Sequence, residues 1–136
     1  MAFNLNDIVL EAFSMEDFTF TYFLTGNPDP TDIVGKAVTI DPSARGSVML
    51  AAADGRVDGR IYQYEDRTQQ GGGIVVSVER KFRKRLPKAI GDVVAIGDSV
   101  EGAGAGLVRV ATTPTPDTNI VIDVAADGTY VVVEKF

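Results

Sequence analysis

The chain of 136 residues contains no cysteine and no histidine. Without cysteine there are no disulfides and no thiol chemistry. Without either residue the usual ligands of zinc and other transition metals are missing. Ser-His and Cys-His nucleophilic pairs are excluded too, with the commonest general base near neutral pH. Only carboxylate chemistry is left. Neighbouring acids such as Glu16-Asp17 and Glu65-Asp66 point to opposite sides of an extended chain, a poor arrangement for paired acid and base. No catalytic residue, metal ligand or cofactor is therefore expected. Long apolar runs are also lacking: none approaches the roughly 18 residues that cross a bilayer as a helix. The opening MAFNLNDIVLEAF has no basic flank before its apolar residues, so a signal peptide is not expected there.

The length fits one domain, with 45% hydrophobic and 24% charged residues, ordinary values for a globular protein. Charge is unevenly spread. The net is −6, yet ERKFRKRLPK (Glu79 to Lys88) holds six basic residues, Arg80, Lys81, Arg83, Lys84, Arg85 and Lys88. Without those six the remainder carries −12. Such polarity discourages indiscriminate self-association and favours one defined contact.

Short alternating segments separated by Gly, Pro and Asp dominate the pattern. Strands are predicted at 18–24 (FTFTYFL), 36–41, 47–51, 59–64, 74–82, 107–112, 119–124 and 129–134, from their β-branched and aromatic content and close spacing. Asp127-Gly128 predicts a two-residue hairpin turn, with Ile120, Ile122 and Val124 on one face and Val131 and Val133 sharing a face across it. Asp54-Gly55 and Asp58-Gly59 are similar turn signals, and the recurrence of AADG at 52–55 and 125–128 reads as shared turn chemistry. GNPDPTD, QQGGG, EGAGAG and TTPTPD read as loops. The two Gly-rich runs, QQGGG and EGAGAG, lack the strand–turn–helix setting of a nucleotide loop. Leu5, Ile8, Val9 and Ala12 fit either a short helix capped by Asn6 or an extended arm. The fold class is all-β, a small antiparallel barrel or sandwich with an N-terminal arm or short helix. The division is 1–34, arm and aromatic strand, and 35–136, barrel-like, in one compact domain.

In a strand reading, Ile74, Val76, Val78, Arg80 and Phe82 face one way and Val75, Ser77, Glu79, Lys81 and Arg83 the other. Pro87 opposes a helix, so the expectation is a strand that leaves its sheet into a basic loop. The bland reading is a solvated edge whose lysines and arginines deter aggregation. The alternatives are phosphate, anionic membrane or an acidic protein partner. An acidic chain with only Phe82 interleaved argues against nucleic acid, and no apolar anchor accompanies the run at a membrane. The aromatic strand FTFTYFL is expected in the core.

GKAVTID (35–41), the AADG turn, GRIYQY, the long GIVVSVERKF, GDVVAIGDSV (91–100) and the Gly-rich loop before a terminal β segment follow one another in an order that resembles the capsid decoration, or cement, proteins of tailed bacteriophages. The resemblance runs from about Gly35 onwards. It implies a non-enzymatic virion component, a trimer on the outer surface of the expanded head that binds the major capsid protein and bridges its subunits. On that reading Arg80, Lys81, Arg83, Lys84 and Arg85 would make the capsid or sister-subunit contact. Phe3, Leu5, Ile8 and Leu10 of the N-terminal segment would add to it. Two other readings stay open: a tail-tube or head-closure subunit, and a polyanion- or nucleic-acid-binding β module.

Overall fold

The computed structural model describes the backbone at residues 13–14, and residues 19–26, 28–113 and 118–136 in full. Phe3, Leu5, Ile8 and Leu10, with the whole helix-or-arm segment, lie outside the described residues. Among those described, eleven strands occur and helix is confined to two short 3₁₀ turns. The chain is all-β, as its sequence pattern predicts.

Five strands close a barrel: β2 (Thr19–Leu24), β3 (Ala37–Ile40), β4 (Ser47–Leu50), β5 (Gly59–Arg67) and β6 (Gly73–Glu79), in the order β2-β4-β3-β5-β6. All neighbours are antiparallel except β2 and β4, which pair in parallel over Phe23–Leu24 and Ser47–Val48. A second sheet has the order β1-β7-β11-β10, from β1 (Phe13–Ser14), β7 (Phe82–Pro87), β10 (Asn119–Val124) and β11 (Tyr130–Lys135). A hairpin of β8 (Val100–Gly104) and β9 (Leu107–Val110) packs beside it.

Two apolar clusters result. Val38, Val48, Ile61, Ile74, Val76 and Val78 fill the barrel. Ala37, Ala51, Phe82, Leu86, Val108, Val121, Val131 and Val133 lie in the other. Residues 37 and 38 are adjacent on β3, and alternation along a strand sends them to opposite faces. One strand thereby serves both cores.

The predicted phase of Ile74, Val76 and Val78 holds, since all three are buried. The aromatic strand differs from expectation. Phe20 and Phe23 are half exposed and Leu24 is buried: Phe23 faces away from the side that Leu24 buries, and Phe20 lies beyond the two residues that β4 flanks. The basic run is also not a loop. The chain turns at Arg80 and Lys81 and re-enters as β7, paired with β11 from Phe82 to Pro87. Phe82 and Leu86 bury one face of that strand, which pulls it back into a sheet. Asp58-Gly59 is not a turn either: Gly59 opens β5, where a β-carbon would lie 2.4 Å from Val78.

EGAGAG is likewise no plain linker but supplies all of β8 after Val100. Gly102 donates to the Gly55 carbonyl (2.7 Å) and accepts from Asp54 N–H (3.0 Å). A β-carbon on it would sit 2.3 Å from the Ala52 carbonyl oxygen. The glycine is there for close backbone approach, not for flexibility. Both AADG segments close with the same bond, Gly55 N–H to Ala52 carbonyl (2.9 Å) and Gly128 N–H to Ala125 carbonyl (3.0 Å), but their backbones differ: the left-handed residue is Asp54 (φ +65°) in the first and Gly128 (φ +74°) in the second. The C-terminal turn is therefore longer than two residues. Against the predicted phase, Asn119 and Val121 are buried while Ile120 and Ile122 are half-buried, and a bulge between Val121 and Asp123 lets Val124 pack against the same cluster as Val121.

Candidate cationic partner surface

The basic run folds around its own charges. Glu79, the last residue of β6, is buried (1% exposed) where the barrel meets the second sheet. It binds Lys84 Nζ at 2.7 Å and Arg60 at 3.2 Å. Arg60 also donates through Nε to the Arg85 carbonyl (2.9 Å), and Lys84 lies over the Tyr62 ring at 5.1 Å. A carboxylate buried from solvent is held by two cations and tied to both sheets, the arrangement that a buried charge requires. Lys84 shares the face of Phe82 and Leu86, which is why the alternation of β7 is hidden in the sequence.

The other basic residues divide. Arg83 pairs with Glu134 across β7 and β11 (3.1 Å), both about one-third exposed. Arg85 stacks over Tyr130 at 4.2 Å, a geometry suited to a planar guanidinium. Lys88 is buried and donates to the Ala89 and Asp92 carbonyls (2.9 and 2.5 Å), which fixes the start of the 89–98 loop. That residue belongs to the scaffold. Arg80 donates through Nε to the Asp58 carbonyl (2.8 Å) and through a terminal nitrogen to the Tyr22 hydroxyl (3.0 Å). Lys81 is exposed at the turn.

Around that turn two further cations gather. Lys135 sits opposite Phe82 on β11, and its ammonium is held below the ordinary lysine value by burial, then by Arg80, with Arg56 and Lys81 adding to the repulsion. Asp58 opposes this, and it is already bonded to Arg56 (2.6 Å) and to the Ile40 N–H (2.8 Å). Arg56, Arg80, Lys81 and Lys135 thus form a cationic corner at the end of the second sheet. Sequence reasoning found Arg80 and Lys81. Arg56 and Lys135 stand 24 and 55 residues from Arg80, and only sheet pairing brings them in.

Apolar and aromatic groups are also displayed. Phe20, Phe23 and Tyr62 are each about half exposed, and Ile90, Val93 and Ile96 project from the 89–98 loop. Elsewhere four loops close by one device, an aspartate that accepts from the backbone N–H and hydroxyl of the Ser or Thr two residues on. These are Asp29 with Thr31, Asp41 with Ser43, Asp66 with Thr68 and Asp127 with Thr129. The bonds hold each carboxyl below its ordinary value. They are turn-forming bonds.

Among the described residues no group of three or more acidic side chains is placed to hold a metal ion, and no helix is long and apolar enough to cross a membrane. Comparisons with protein-family models, curated proteins and solved structures gave no match.

Proposed function

We propose that the protein is a structural binding component, a capsid decoration protein of a tailed phage that docks its cationic corner on an acidic protein surface. The observation that carries the binding reading is the gathering of Arg56, Arg80, Lys81 and Lys135 at one end of a chain with net charge −6, with Arg56 and Arg80 both bonded to Asp58 and Lys135 opposite Phe82. Like charges brought together against their own repulsion are better satisfied by an anionic neighbour than by water. The decoration role rests on the order of segments from Gly35 onwards, with an all-β barrel as its scaffold. On this reading the protein is a trimer on the outer face of the head, and the N-terminal segment around Phe3, Leu5, Ile8 and Leu10 adds to the contact. Many weak contacts displayed at once give avidity by effective concentration. Arg83 fits the same role. Its ion pair with Glu134 is partly solvated and of a kind worth at most about 1 kcal/mol, so exchange for an acidic partner costs little.

The test is sedimentation of the purified protein with expanded capsids at rising salt. Saturable binding that weakens with salt, and weakens further in an Arg80→Glu/Lys81→Glu variant, is expected. Absence of binding at every salt concentration overturns the proposal.

A second reading, a polyanion- or nucleic-acid-binding module, draws on the exposed rings of Phe20, Phe23 and Tyr62 and on Lys84 lying over Tyr62. Aromatic faces among cations suit single-stranded nucleic acid. Mobility shift with single-stranded DNA, lost on Phe20→Ala/Phe23→Ala, would favour it over the capsid reading.

A further inference from the structure

A different cationic site lies between the barrel and the second sheet. There a cleft of about 330 Å³ is walled by Val34, Pro87 and Tyr130 and carries Lys36, Arg60 and Arg85. Lys36 immediately precedes β3 and Arg60 lies on β5, and their side chains are only 19% and 17% exposed. Arg60 uses Nε for the Arg85 carbonyl and one terminal nitrogen for Glu79. Its other terminal nitrogen lies 3.3 Å from where a β-carbon on Gly35 would be, and has no hydrogen bond among the described residues. Gly35 has φ +88°, so both backbone and space keep that position open beside the guanidinium. The cleft already touches one carboxylate: Asp32, 80% exposed on its rim, accepts from Lys36 Nζ at 3.3 Å.

We propose that this cleft binds a carboxylate side chain from an acidic peptide segment of a partner protein. A carboxylate is the planar, two-oxygen anion that an arginine edge and a neighbouring ammonium match. The apolar walls accept the methylenes of a glutamate, and Asp32 is the internal competitor that the incoming group displaces from Lys36. The site is separate from the Arg80–Lys81 corner and holds whatever structure displays the carboxylate.

The test is an amide NMR titration with an acetylated, amidated hexaglutamate peptide, with hexaglutamine as the neutral probe. Saturable shifts at Gly35, Lys36, Thr129 and Tyr130 are expected with hexaglutamate only. Lys36→Gln weakens binding by about tenfold, the size of one charge-assisted hydrogen bond. Asp32→Asn, which removes the competitor and leaves the fold untouched, strengthens it. Lys81→Gln, on the other surface, leaves it nearly unchanged. Equal weakening by Lys81→Gln and Lys36→Gln would mean general attraction and overturn the site, as would shifts centred elsewhere or none at all. Capsid binding without peptide binding would sink this inference alone. Peptide binding without capsid binding would sink the other.

Discussion

Glu79 and Lys84 lie five residues apart and meet at 2.7 Å across the turn between β6 and β7, with the carboxylate buried. Arg60 closes the group from β5. Glu79→Ala leaves two cations, each less than one-fifth exposed, without their counter-charge. A loss of about 3–5 kcal/mol is expected, measured by denaturant unfolding. Replacing all three together by Met, Leu and Met should cost far less than Glu79→Ala alone. A triple variant no more stable than the single one would show that the group is not a closed unit.

Asn119 is buried, and its side-chain amide both accepts from the Val100 N–H (2.8 Å) and donates to the Val100 carbonyl (3.2 Å). It joins β10 to the β8–β9 hairpin as a strand would. Asn119→Ala strands two buried backbone groups and should cost about 1–3 kcal/mol for each left unsatisfied. Faster hydrogen exchange at the Val100 amide would locate the damage.

Gly102→Ala places a methyl group against the Ala52 carbonyl. The 52–55 turn must then move off β8, at about 1–3 kcal/mol by the usual scale of overpacking. A thermal midpoint equal to that of the parent would refute the close-approach account of EGAGAG.

Lys135 is held below the ordinary lysine value by burial and by Arg80. The folded state therefore disfavours its charged form. That penalty is present at neutral pH and is relieved as pH rises through the lowered value towards 10.5. Lys135→Gln is expected to raise the thermal midpoint at pH 7 and to weaken capsid binding, the exchange of stability for function found at binding sites. A variant that gains stability and binds capsids as before would remove Lys135 from the partner surface.

Acid should act on the four Asp-turns. Their carboxyls titrate below the ordinary value, so their contribution is full above about pH 4 and is lost as pH falls through the lowered values. Asp127→Asn and Asp66→Asn should flatten the acid limb of the stability curve, read by circular dichroism at a series of pH values.

Much of this was legible in the chain. Eight strand segments and the inward phase of Ile74, Val76 and Val78 follow from alternation and turn residues. Strand β7 was not legible, because Lys84 occupies an inward position between Phe82 and Leu86 and breaks the apolar period. Its partner, Glu79, looked like an ordinary polar residue of the preceding strand. Strand β8 hid behind glycines whose purpose is set by a turn 47 residues earlier, at Gly55. The candidate sites suffered most, because Arg56, Arg60, Lys36 and Lys135 carry no local signal and converge only when the barrel closes and β11 pairs with β7.

The adjacency of Ala37 and Val38 on β3 limits how the molecule can come apart. Opening either core strips one side of the same four-residue strand and exposes the backbone on which the other core is built. Barrel and second sheet should then share one unfolding event, and their slowest-exchanging amides should report a single free energy. On the proposed docking role, a protein held at one corner would gain from having no half that can melt on its own.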